Sequence, residues 1–234
     1  MKVVFDHSAE ETKNIRTFYF RPEKPVRYTA GQFIELTLPN KHPDGRGIKR
    51  WFTLSSSPTE ELLSITTKFT PEKSSTFKQD LFSLKPGVLL NMADPMGDFV
   101  LPKDKTRPLV FIAGGMGITP MHSMIKWLDD NQEHRTIHLI YGASEPSQLI
   151  FRKLFAKYGL PVTLNVSQPV RGWRGGTGKL DAQKIFAMEP NIDNKLYFMS
   201  GPEPMIETMY KDFKARGVKE SQLVTDYFPG YPAF

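Results

Sequence analysis

The stretch that most constrains this chain runs from Pro108 to Leu128, PLVFIAGGMGITPMHSMIKWL. It opens on an unbroken apolar run, Leu109–Ala113, which suits a strand buried on both faces of a parallel sheet. Glycines follow at Gly114, Gly115 and Gly117, where a backbone without Cβ atoms can turn tightly and approach a ligand closely. Thr119 and Pro120 then read as the N-cap and first residue of a helix, because proline's fixed φ suits that position and its missing N–H costs nothing there. A buried strand, a glycine loop and the free N–H groups of a helix start make an anion site in an α/β sheet. The expected anion is a dinucleotide pyrophosphate. Pro120 stands where the ordinary Rossmann G-x-G-x-x-G has its third glycine, so the pattern departs from that fingerprint. Taken alone, the stretch would also suit a plain βα turn with packing glycines, and the rest of the chain decides between them.

With 234 residues the chain can bury a real core, as one large or two small domains. Ten methionines and no cysteine exclude disulfides, cysteine-held iron–sulfur clusters and thiol catalysis from this sequence. No apolar run approaches the ~18–20 residues of a membrane span. Met1-Lys2 leads into charge rather than an apolar signal-peptide core, and a cytoplasmic protein is the expectation. The net charge of +6 is evenly spread, with 15 Lys+Arg against 12 Asp+Glu up to residue 103 and 16 against 13 beyond. That distribution gives no nucleic-acid arm and fits solubility or docking of an acidic partner.

Residues 1–103 read as an all-β domain. Thr17–Phe20, Phe33–Leu38, Arg50–Pro58, Leu62–Phe69, Val88–Met92 and Asp98–Leu101 are strand-like, separated by proline and glycine turns. The exception is Ser74-Ser75-Thr76 leading into Phe77–Leu81, a short helix with hydroxyls at its start. Many short strands around one small helix predict an antiparallel barrel. Residues 104–234 change to βα alternation and predict an open parallel sheet. Its strands are Leu109–Ala113, Ile137–Tyr141, Val162–Val166, Leu196–Met199 and Leu223–Thr225. Its helices are Pro120–Leu128, Gln148–Tyr158, Ala182–Met188 and Pro204–Arg216, the last stopped by Gly217. Residues 168–179, QPVRGWRGGTGK, predict an irregular loop over the sheet edge.

Arg50 and the hydroxyls of Ser74, Ser75 and Thr76 could converge as phosphate donors on one barrel. With them, the chain resembles the ferredoxin–NADP⁺ reductase superfamily of flavoenzymes along nearly its whole length. The flavin motif R-x-[YF]-[ST]-[LI]-x-S is matched by Arg50-Trp51-Phe52-Thr53-Leu54-Ser55-Ser56, and the motif G-G-x-G-[IV]-[TA]-P by Gly114–Pro120. The [CS]-G-P motif is matched by Ser200-Gly201-Pro202, and P-x-G-x-F by Pro95–Phe99. The G-x-x-S phosphate motif is less faithful, with Lys78 two residues after Thr76.

The resemblance implies an FAD-binding antiparallel Greek-key barrel followed by a nicotinamide-dinucleotide α/β domain, with FAD in the cleft between them. On this sequence it assigns Arg50 to the FAD pyrophosphate, Phe52 to the flavin–ribityl face and Thr53 to a hydrogen bond near flavin N5. Trp51, Leu54 and Ser55 belong to the same flavin strand. Thr66-Thr67-Lys68 would add backbone contacts, while Ser74, Ser75 and Thr76 would bind phosphate. Gly114, Gly115, Gly117, Thr119 and Pro120 would receive NADH or NADPH, with Ser200, Gly201 and Pro202 flanking its ribose and ring. Thr53 and Ser200 are thereby the candidate catalytic residues, and Ser200 stands where many relatives carry cysteine. In the aromatic tail, Phe228 or Tyr231 would cover the flavin ring, or those aromatics would simply pin the terminus. Glu145, after the second strand of the sheet, would accept from ribose hydroxyls and repel a 2′-phosphate, which favours NADH. Arg152, Arg171 and Arg174 are near enough in sequence to serve a phosphate instead.

The implied chemistry is hydride transfer from nicotinamide to flavin, with electrons passed on to a ferredoxin-like, flavodoxin-like or oxygenase protein. A reductase of free flavin or ferric chelates, and a non-catalytic relay subunit, are the alternatives. No fused iron–sulfur domain, metal or nucleic acid is expected. The five histidines, His122 among them, read as structural.

Overall fold

The structure, a computed structural model, describes residues 1–40, 42–72 and 74–228, and these form two compact units. The first takes in Met1–Leu101 together with His122–Trp127, and the second Pro102–Met121 with Leu128–Phe234.

The first unit is a six-stranded antiparallel sheet of β1 (Lys2–Thr12), β2 (Ile15–Pro22), β3 (Phe33–Thr37), β4 (Lys49–Thr53), β5 (Leu63–Lys68) and β6 (Leu89–Met92). The spatial order is β4-β3-β6-β1-β2-β5. Its two outer strands meet where Leu54 bridges Ile65 and the Ser55 N–H donates to the Ser64 carbonyl at 2.8 Å, which closes the sheet into a barrel. Strand alternation fills the barrel. Phe18, Phe20, Ile34, Leu36, Leu54 and Ile65 point inward and are almost wholly buried, each contributing roughly 1.5–3 kcal/mol of apolar burial. Helix α1 (Thr76–Phe82) plugs the same core with Phe77 and Leu81.

Two features of this unit differ from the sequence expectation. Strand β1 was not foreseen. Only Val3 and Phe5 alternate into the core, and register shifts at Phe5/His7 and Glu10/Thr12 break the period of two that marks a strand. Asp98–Leu101 is not a strand. Gly97 adopts φ +108° and the Val100 N–H turns back onto the Asp98 carbonyl at 2.9 Å, so the segment is a turn that buries Phe99.

The second unit is a parallel sheet in the order β10-β9-β8-β7-β11-β12. Its strands are β7 (Leu109–Gly114), β8 (Ile137–Ala143), β9 (Val162–Val166), β10 (Gly176–Thr177), β11 (Leu196–Pro202) and β12 (Leu223–Phe228). The connecting helices are α2 (Ile118–Asp130), α3 (Arg152–Lys157), α4 (Ala182–Met188) and α5 (Glu203–Ala215). Every residue of β7 is buried, as its apolar run requires of a central strand. Gly217 follows α5 at φ +95°, the left-handed conformation of a helix stop.

Three details correct the expectation here. A 3-10 turn over Gly115–Gly117 runs straight into α2, so the helix starts at Ile118 and Thr119 is not its N-cap. The Thr119 hydroxyl is buried and donates to the Met116 carbonyl at 2.9 Å, bracing the loop from inside. The helix expected over Gln148–Tyr158 is shortened, because Phe151 sits at φ +63° and separates a 3-10 turn from α3. Within the loop over 168–179, β10 adds a two-residue edge strand beside β9.

Candidate functional site

In the second unit the chain leaves β7 to form β8 on one side, while β11 lies against its other side. The loops after β7 and β11 therefore part at a topological switch point, where open α/β sheets bind ligands beyond the carboxyl ends of their strands. The two motifs expected to serve a dinucleotide meet there. A Cβ on Gly117 would lie 2.0 Å from the Ser200 carbonyl oxygen and 2.6 Å from the Gly201 nitrogen. A Cβ on Gly201 would lie 3.2 Å from the Gly114 Cα. At Gly117 backbone thus approaches backbone more closely than a side chain would permit, and at Gly201 the fit is tight. Beside them Gly114, Gly142, Ala143, Asn165, Lys179 and Met205 line a small cleft at the ends of β7, β8 and β9. Glu145 is exposed just past β8 and accepts from the Ser147 hydroxyl at 3.2 Å. Arg152, Arg171 and Arg174 are exposed as well.

Ser200 is fully buried, and the β11–β12 register sets it opposite Asp226. Its hydroxyl lies 3.4 Å from the Asp226 carboxylate, at the long end of hydrogen bonding. Burial pushes the Asp226 carboxyl up to about 6, against the downward pull of Ser200 and the Tyr227 N–H. Sequence reasoning did not single out Asp226. The available signal was an acid closing the run Leu223-Val224-Thr225 at the carboxyl end of a strand. Phe228 ends β12, whereas Tyr231 lies outside the described residues.

On the barrel, β4 sorts the expected flavin residues between two faces. Arg50 and Phe52 share the α1 side: the Arg50 guanidinium lies over the Phe77 ring at 5.2 Å, and the Phe52 and Phe77 rings are 5.9 Å apart. Phe52 is only 8% exposed and belongs to the barrel core, which leaves little of its ring for a ligand. Trp51 points the other way, 65% exposed, with its indole N–H donating to Glu35 at 3.3 Å. Thr53 is buried, yet its hydroxyl makes no hydrogen bond among the described residues.

Arg50 is closely held. Nη2 donates to Asp44 at 2.7 Å, Nη1 shares its protons among the carbonyls of Arg46, Gly47 and Lys49 at 2.7–3.0 Å, and the buried Nε has no partner among the described residues. Ser74 accepts from the Thr70 N–H at 2.8 Å, and Ser75 caps α1 by accepting from the Lys78 N–H at 3.3 Å. Thr76 accepts from the Asp44 N–H at 3.1 Å. Each hydroxyl keeps its own proton to donate. The Lys78 ammonium donates to the Lys68 carbonyl at 2.9 Å and ties α1 to the end of β5.

The hydroxyls of Ser55 and Thr66 are engaged within the barrel. Glu11, Thr17, Thr66, Ser55 and Ser64 form one chain of side-chain contacts at 2.8–3.0 Å, running from a partly exposed carboxylate into buried hydroxyls. His122 and Ser123 brace the segment that follows β4. The His122 ring N–H donates to the Ser55 carbonyl at 2.7 Å, and the Ser123 hydroxyl to the Ser56 carbonyl at 2.5 Å. Burial depresses the His122 pKa to about 4, so the ring is neutral at physiological pH. Thr67 is buried in β5. Among the described residues no cluster of His, Asp or Glu could hold a metal, and no helix is long and apolar enough to cross a membrane.

Comparison with known proteins agrees with this layout. Residues 111–211 match the model of the oxidoreductase NAD-binding domain family. The glycine betaine monooxygenase reductase subunit of Chromohalobacter salexigens is 28% identical over 96% of this chain, which spans 63% of that protein's length. The ferredoxin–NADP⁺ reductase of Neisseria gonorrhoeae, solved with FAD and NADP, superposes with a TM-score of 0.81 at 18% identity, covering 97% of this chain and 98% of its own. The Amycolatopsis cytochrome P450 reductase GcoB gives 0.83 at 22% identity, covering 97% and 70%. A closed antiparallel barrel followed by a parallel sheet with its glycine loops at the switch point defines a two-domain reductase fold. Residues 111–211 match the oxidoreductase NAD-binding domain family, and the chain as a whole shares the fold of the ferredoxin–NADP⁺ reductase structure.

Proposed function

We propose that this chain is an NAD(P)H-dependent flavin oxidoreductase that takes hydride from a nicotinamide dinucleotide onto bound FAD and passes electrons to a protein acceptor of the oxygenase, ferredoxin or flavodoxin kind. The observation that carries the reading is the approach of Gly117 to Ser200 and Gly201, which brings both glycine loops together at the carboxyl ends of β7 and β11, where such sheets take a pyrophosphate. The barrel's donors fit a flavin phosphate: a half-buried guanidinium whose Nε has no partner among the described residues, linked through Asp44 to Thr76 in a helix start that also carries the hydroxyls of Ser74 and Ser75. Bound FAD supplies the step between a two-electron donor and one-electron acceptors. The chain's own residues hold and orient. Thr53 offers an uncommitted hydroxyl, Ser200 and Asp226 shape the nicotinamide side, and Pro120 holds the first turn of α2 in helical geometry. Glu145 favours NADH by repelling a 2′-phosphate.

The net charge of +6 favours an acidic acceptor. Steady-state turnover with NADH and NADPH against a panel of acceptors, repeated across ionic strength, tests the proposal. Faster turnover with NADH and a steep loss of protein-acceptor reduction on adding salt are expected. Turnover of free flavin or ferric chelates alone, insensitive to salt, would assign the protein to small acceptors instead.

A further inference from the structure

We propose that Asp44 is the positioning residue for the flavin phosphates: it fixes both donors, Arg50 through its carboxylate and Thr76 through its backbone N–H. The inference rests on the flavin reading above and names a residue outside the motifs that led to it. Asp44 sits in the loop before β4 and builds its own support. Its Oδ1 accepts the Arg46 N–H at 3.0 Å, and its carbonyl accepts the Gly47 N–H at 2.8 Å, with Gly47 at φ +71° closing a tight turn. The same Oδ1 lies 2.7 Å from Arg50 Nη2. The turn also aims the Arg46 and Gly47 carbonyls at Nη1. The guanidinium is therefore held at both terminal nitrogens and lies over the Phe77 ring, 5.2 Å from its centroid, and its Nε has no partner among the described residues.

The second arm works on Thr76. By donating its N–H to Thr76 Oγ1 at 3.1 Å, Asp44 occupies one lone pair there and directs the hydroxyl proton elsewhere. A long arginine otherwise loses rotamer freedom when it binds phosphate, and here most of that ordering is already done. The opposite role, a carboxylate occupying the place of the phosphate, fits less well. The Asp44 oxygen is built into its own turn, and its charge is matched by Arg50.

The test compares riboflavin, FMN and FAD, which share a ring system and differ in phosphate. Their dissociation constants are measured by flavin fluorescence for the wild-type chain, Asp44→Ala and Asp44→Asn. Asp44→Ala is expected to weaken FMN and FAD by about tenfold while leaving riboflavin unchanged, the scale of one charge-assisted hydrogen bond. Asp44→Asn keeps the turn and the backbone N–H and is expected to recover part of the loss. Equal weakening of all three flavins would mean that Asp44 only supports the fold, and tighter FMN and FAD would mean that it competes with phosphate; either overturns the proposal. A wild-type chain that binds none of the three overturns the flavin reading along with it, whereas normal FAD uptake with no effect of either substitution removes Asp44 alone.

Discussion

Replacing Gly117 by alanine isolates the contact on which the nicotinamide half depends. Its φ lies outside the left-handed region, so alanine brings no backbone strain and the effect is steric. The new Cβ would sit 2.0 Å from the Ser200 oxygen, where ordinary contact begins at 3.4 Å, so one backbone must retreat by 1.4 Å. The obstacles are all main-chain atoms of Ser200 and Gly201, and no rotamer change relieves them. Overpacking of this kind costs roughly 1–3 kcal/mol of stability. A shift of about 1 Å in a positioning element can lower turnover by roughly a hundredfold. Gly117→Ala is therefore expected to lower Tm, to weaken NADH binding and to slow hydride transfer in stopped flow, while FAD affinity at the barrel is unchanged. Gly45→Ala, with nothing within 4 Å of its added Cβ and an ordinary φ, is the matched control and should match the wild type. Wild-type NADH affinity and Tm in Gly117→Ala would refute the close approach of the two loops.

Three further substitutions probe the site. Thr53→Val removes the uncommitted hydroxyl at constant shape and should slow flavin reduction with FAD still bound; an unchanged rate takes Thr53 out of the mechanism. Asp226 has a folded pKa of about 6, raised by burial from 3.8, so its stabilising contribution is present below pH 4 and lost as pH rises through 6. Asp226→Asn should accordingly raise stability at pH 7 by up to about 3 kcal/mol and change nothing at pH 4, and a pH-independent effect in thermal melts would contradict the assignment. His122 runs the other way. With its pKa depressed to about 4 it favours the fold above pH 6.5 and loses that contribution as pH falls toward 4, so His122→Asn should flatten the acid limb of a stability–pH curve. An acid limb as steep as that of the wild type would show that His122 does not titrate in this window.

Local chemistry made much of this molecule legible. The run Leu109–Ala113 suited a strand buried on both faces, and the structure buries every residue of β7. Helix α4 was legible to the residue because Asp181 caps it by accepting the Lys184 N–H. What escaped depended on partners distant in sequence. The bulged, polar second half of β1 gains its strand geometry from β2 rather than from its own alternation. Thr119 looks like an N-cap until the 3-10 turn of Gly115–Gly117 wraps under it. Phe52 packs against Phe77, 25 positions later, a contact its motif does not announce. Asp226 acquires meaning only when the register of β11 and β12 sets it beside Ser200, and Asp44 only when its loop folds onto Arg50 and Thr76.

The central claim is that one polypeptide holds a flavin on its barrel and delivers a nicotinamide to it. Anaerobic titration of the FAD-loaded chain with NADH, followed by visible absorbance, tests this most directly. The account predicts a yellow protein whose flavin absorbance bleaches in proportion to the NADH added. A colourless protein that takes up neither FAD nor FMN, or a bound flavin that stays oxidised under both NADH and NADPH, would contradict it.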